Sequence, residues 1–214
     1  MVDSLASLTS PALICLSLAA GLLVVVTDWR LSCVALLAVY ASVAVLVAPL
    51  VLLEVVAVKV LVGLLVVGIL VLTSAQLRFG RPDGPASPGR RLPFEASTNF
   101  AFRVVAAVMA AAAAWYLAAM AGFVLPGLDG APATNSAALL LLALGLLNIG
   151  LTEEPMNAGM GLLVVFLGFE LFYAAVEPSL AVMALLAGVE FAIALSISYL
   201  AIVGHRGAEM SETA

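Results

Sequence analysis

Between Lys59 and Arg78 the chain runs for eighteen residues, VLVGLLVVGILVLTSAQL, without a single charge. As a helix this stretch is roughly 27 Å long, close to the ~30 Å hydrocarbon thickness of a bilayer. Several other runs of similar length are just as apolar. With 65% hydrophobic and 10% charged residues and a mean hydropathy of +1.25, no soluble domain of 214 residues could cover so much apolar surface. The sequence therefore predicts an all-α, polytopic membrane helix bundle. The net charge of −5 carries little information, because charge position relative to the bilayer matters more than the sum.

Seven spans are expected, at 5–27, 31–48, 51–77, 99–125, 134–151, 157–176 and 179–204. The region 31–77 must be two helices, since one continuous helix would measure roughly 70 Å; Pro49 is the expected break. The segment 79–98, FGRPDGPASPGRRLPFEAST, has four prolines and three glycines and is expected to be irregular throughout. Three segments follow: 1–98, three helices and this loop; 99–133, a fourth helix and an outer loop; and 134–214, three helices and a short tail. The first ten residues carry Asp3 and no Lys or Arg, so the first run is expected to be a retained helix instead of a signal peptide.

Seven spans place Arg30, Arg78, Arg81, Arg90, Arg91, Arg103 and Arg206 on or near one side. The positive-inside rule then puts the N-terminus outside and the C-terminus in the cytoplasm. Arg103 is expected to snorkel from the fourth span. Cys15 and Cys33 sit too far apart in depth for a disulfide and are read as small buried apolar residues. Trp115 and Tyr116, in the middle of the fourth span, are read as packing residues.

Three charges interrupt the apolar runs. Glu170 lies about 13 residues into the sixth span and Glu190 about 14 residues from the cytoplasmic end of the seventh, so both reach roughly 20 Å from that face. A short turn joins these helices, which makes them neighbours, and the two carboxyls share one depth. Carboxyl groups removed from water can load and release protons near neutral pH, which is why proton relays use them. Interhelical hydrogen bonds in membranes average only about 0.6 kcal/mol, too little to offset burying two glutamates merely as packing glue. Lys59 lies in the outer half of the third span, and two readings stand: a functional or inter-subunit charge, or a side chain that snorkels to the outer headgroups. Glu54, five residues earlier, is badly placed for an ion pair with it and is expected at the interface. His205, near the cytoplasmic end of the last span, is a candidate proton-entry group or an ordinary helix-end residue. Glu153 and Glu154 make an acidic cytoplasmic turn. No nucleotide loop, haem attachment, nucleophile triad or metal-ligand spacing is present, so neither cofactor nor catalytic residue is expected.

The last three spans resemble the K-type subunit of respiratory complex I, through FLGFELFYAAV around Glu170 and LLAGVEFAIALSISYL around Glu190. Over its whole length the chain is similar to hydrogenase-4 component E, which places further spans before such a trio; WRLSC (29–33) and VKVLVGLLV (58–66) carry that similarity. The chain departs from the family in its acidic TEEPMN turn (152–157), where the family tends to be basic, and in its Pro-rich loop. The resemblance implies a non-catalytic membrane subunit of an oxidoreductase complex, with proton-transfer roles for Glu170 and Glu190 and modulating charges at Lys59, Glu54 and His205. Antiporter-like membrane subunits and a peripheral redox module would be its partners, in a bacterial or archaeal cytoplasmic membrane and with no nucleic acid. Two other readings remain open: the C subunit of a multisubunit cation/proton antiporter, and a structural scaffold.

Overall fold

Proline sets where three of the helices begin. Pro93, Pro132 and Pro155 each open a helix, where a missing N–H costs nothing and the fixed backbone angle already suits the first turn. The computed structural model of the chain describes residues 2–26, 28–49, 51, 53–79, 93–120, 128, 131–152, 154–177 and 179–212, without the side chains of 2–8, 53, 77–79, 93–99 and 205–212. Residues 80–92 with Arg81, Arg90 and Arg91, then Glu153 and the His205 side chain, lie outside the described residues.

The described residues form seven α-helices and no strand: α1 (Val2–Val25), α2 (Trp29–Val47), α3 (Leu53–Phe79), α4 (Pro93–Ala119), α5 (Pro132–Gly150), α6 (Pro155–Val176) and α7 (Leu180–Glu212). Six of them, α2 to α7, are long and apolar enough to cross a membrane. Helix α1 has 24 residues, and its fully described part, Thr9–Val25, is apolar. Three boundaries differ from expectation by six residues or more, one of them the end of α4 at Ala119, short of 125. Helix α4 starts at Pro93, inside the segment expected to be irregular, because proline at the first helical position favours a helix start. Helix α7 runs past 204 to Glu212, through residues such as Ala208, Glu209 and Met210 that favour helix.

The helices pack as two rows. One row runs α4, α1, α2, α3; the other runs α5, α6, α7. Across the rows α1 packs on α5, α2 on α6, and α3 on α7, while α4 closes against α5. The core between the rows is aliphatic, centred on Leu16, Leu36, Leu46, Leu140, Leu144, Leu163 and Leu167, all fully buried. Helices α5 and α6 approach closely because Gly145 carries no side chain: a Cβ there would stand 2.8 Å from the Val165 backbone nitrogen. Most of the surface of α4 and α7 faces outward, with Trp115 and Tyr116 among the exposed residues of α4. Those two side chains are therefore outward-facing and not packing residues: the small alanines Ala107 and Ala114 make the buried face of α4, and the rings fall on the other side. Cys33 is buried but Cys15 is exposed on the outside of α1, and both thiols are free.

Arg103 is half-buried and stands level with the ends of α1 and α5. It reaches into the bundle and donates hydrogen bonds to the Val24 carbonyl (3.2 Å) and the Leu151 carbonyl (2.7 Å). These are among the last carbonyls of α1 and α5, which lack helical partners and lie at the negative end of each helix dipole. One guanidinium thus ties α4 to the ends of two neighbours. Asn148 donates to the Asn157 carbonyl at 3.0 Å, and Asn157 donates to Glu154 at 2.8 Å, which fastens the turn between α5 and α6.

Candidate functional site

Helix α3 turns one narrow face inward: Val55, Lys59, Gly63, Val66, Leu70 and Ser74 recur at helical spacing, and all are buried. Lys59 is on this face, so its ammonium points into the bundle and not along the lipid surface. Its side chain does not snorkel; it is 6% exposed. The stripe is invisible in hydropathy because the outward faces of α3 are as apolar as the inner one.

Glu170 comes from α6 and Glu190 from α7, and both meet the Lys59 ammonium. Lys59 Nζ donates to Glu170 Oε2 and to Glu190 Oε1, the latter at 2.6 Å. The three residues lie at a common level because of where each helix starts or stops. Lys59 is six residues from Leu53, Glu170 six from Val176, and Glu190 ten from Leu180, which puts them roughly 9 to 15 Å below the same end of the bundle. The glutamates are 3% and 0% exposed, so the group is essentially dry. Burying an ion pair is costly unless the partners are close and hydrogen-bonded, and this one is. The cluster also joins the two rows, α3 from one and α6 and α7 from the other.

Tyr40 of α2 completes the enclosure. Its ring lies 5.3 Å from the Lys59 nitrogen, within the range of a cation–π contact, and its hydroxyl stands beside the Glu190 carboxylate. The ring fits only because residue 63 is glycine. A Cβ at Gly63 would come within 2.7 Å of a Tyr40 ring carbon. The second oxygen of Glu190, Oε2, is buried and makes no hydrogen bond of good geometry. Sequence reasoning did not single out Tyr40 or Gly63. The spacing of four between Lys59 and Gly63, which puts them on one face, was the available signal.

A small cavity of about 10 Å³ borders Lys59 and Glu170. Its other walls are Val47, Val55, Val58, Ala174, Met183 and Ala187, from the same ends of α2, α3, α6 and α7. That is room for about one water. Glu54 is exposed in the first turn of α3 and belongs to that end of the bundle; it is not part of the cluster. Among the described residues, no group of three or more His, Cys, Asp and Glu side chains is placed to hold a metal.

Compared with protein-family models, with curated proteins and with solved structures, the chain matches none.

Chemically, the cluster sets one ammonium against two carboxylates. Fully ionised, it carries one uncompensated negative charge in a medium that penalises it. One proton on either carboxyl makes it neutral.

Proposed function

We propose that the chain is a cofactor-free membrane subunit of a proton-translocating respiratory complex, related to complex I and group 4 hydrogenases, in which Lys59, Glu170 and Glu190 form one station of a proton path. The observation that carries this reading is the buried ammonium of Lys59 between carboxylates from two other helices. Structure alone gives no reason to keep it. Apolar residues would pack the same space without the cost of dehydrating three ionisable groups. A cluster with one carboxylate in excess does have a use: it can accept a proton and return it while its buried charge stays within one unit.

In this role a proton arriving on one glutamate loosens that glutamate's hold on Lys59, and the ammonium shifts its weight to the other. Occupancy of one carboxyl thereby changes the field at its neighbour. The cavity beside Glu170 supplies a place for the water that such a transfer needs. Antiporter-like subunits would provide the next groups in line, and a peripheral redox module the driving reaction. The exposed faces of α4 and α7 offer surface for those subunits in a bacterial or archaeal cytoplasmic membrane.

The test is purification of a tagged copy from native membranes in mild detergent, with mass spectrometry of what accompanies it. Antiporter-like subunits together with a metal-containing peripheral arm are expected. Antiporter subunits without a redox module would move the chain to the cation/proton antiporter class. A chain that ran alone would favour the scaffold reading.

A further inference from the structure

We infer that Lys59 is a tethered cation that occupies the position between Glu170 and Glu190 in place of a metal ion, so that the site exchanges protons and refuses sodium and potassium. This deepens the reading of the cluster as an exchange site and rests on it.

Two carboxylate oxygens converging in a dry interior are an attractive place for a hard cation, which prefers oxygen ligands. They also call for a positive charge, since both carboxylates are buried away from bulk solvent. In this chain the requirement is met covalently. The Lys59 ammonium contacts Glu170 and lies 2.6 Å from Glu190, so it stands between the two carboxylates as their counter-charge. Tyr40 shields it on one side. On the other side the cavity has about 10 Å³ and, apart from Lys59 and Glu170, only aliphatic and methionine walls. A metal ion arriving there would find no further oxygen ligand among the lining side chains and would lie next to an ammonium in low dielectric, where repulsion is strongest.

A proton meets neither obstacle. It bonds to a carboxylate lone pair, adds almost no volume, and cancels charge instead of adding to the ammonium. Selection between a proton and a metal ion then depends on one side chain. Removing the amine should open the position to alkali cations, because the two carboxylates remain and their counter-charge is gone.

The experiment compares the full-length wild-type chain with Lys59→Ala, both purified in detergent at constant ionic strength, in sodium, potassium or N-methylglucamine chloride. The wild-type unfolding temperature should be the same in all three salts. That of K59A should rise with sodium concentration and saturate. Saturable stabilisation of the wild type by sodium or potassium overturns the inference, and so does a K59A protein indifferent to both. If K59A cannot be recovered, infrared spectra of the wild type decide. The Glu170 and Glu190 carboxyl bands, identified by their loss in E170Q and E190Q, should not move between sodium and N-methylglucamine; a sodium-induced shift overturns the inference. Both readouts are independent of proton transport, so an inactive complex would count against the proposed function and leave the ion selectivity to these measurements.

Discussion

At the scale of single residues, the cluster predicts an asymmetry between breaking a pair and removing it. Lys59→Met leaves two carboxylates facing each other without their cation, and should cost about 3–5 kcal/mol of stability. Adding Glu190→Gln to it removes one of the two unpaired carboxylates, and the double variant should recover part of that loss. Equilibrium unfolding of the wild type, both single variants and the double variant gives the coupling directly; strict additivity would mean that the contact contributes nothing. For proton transfer, Glu190→Gln keeps the shape and one hydrogen-bond acceptor but cannot ionise. Coupled activity of the assembled complex should fall at least tenfold while assembly persists. Unchanged activity would support packing as the role of these glutamates.

The same scale shows what the sequence revealed. The two glutamates stood out, because a carboxyl inside an apolar run is costly wherever it points. Lys59 stayed divided between the interior and the headgroups. Its nearest charge in sequence, Glu54, is on another face, whereas its partners lie 111 and 131 residues further on. No local spacing points to either of them. Tyr40 gave even less signal, as one aromatic in an apolar helix.

Helix elements make a sharper test through two glycines of α3. Gly63 lies against the Tyr40 ring, while Gly68 has nothing within 4 Å of where a Cβ would be. Gly63→Ala should cost about 1–3 kcal/mol by forcing the ring off Lys59. Gly68→Ala should be neutral or gain up to about 1 kcal/mol from helix propensity. Thermal unfolding of the two variants side by side separates the contact from the general effect of adding a methyl group. Arg103 offers a second comparison, since it serves two helix ends at once. Arg103→Lys has one ammonium in place of a fork and should keep one of the two carbonyl bonds. Its loss should be smaller than that of Arg103→Ala, and both should appear in unfolding before activity is considered. Helix number and approximate boundaries were readable because apolar length and proline are local signals. The early start of α4 was missed because Pro93 was counted as a breaker when its position made it a beginning.

For the whole molecule, the two-row arrangement could not be derived from the sequence. Each helix is apolar on all sides, so hydropathy does not say which face meets protein and which meets lipid. The outward position of Trp115 and Tyr116 on α4 follows from that arrangement alone. Tyr116→Ala should therefore change the stability of the isolated chain by less than about 0.5 kcal/mol. If α4 is a contact for another subunit, the same variant should lower recovery of partners in co-purification. Unchanged recovery would give that face to lipid.

The long sequence separation within the cluster also has a meaning in time. Lys59 enters the membrane when neither of its carboxylates has been synthesised, and 111 residues must follow before Glu170 exists. At about 5–20 residues per second, the lysine waits roughly 6–22 s without a counter-charge. Its flexible stem and its level near one end of α3 let it spend that interval at the headgroups, so the snorkelling position excluded from the finished fold becomes a stage in its birth. Ribosome-bound chains stopped short of residue 170 should expose the Lys59 amine to a water-soluble acylating reagent, and full-length chains should protect it. Equal labelling at both lengths would show that the lysine never leaves the water.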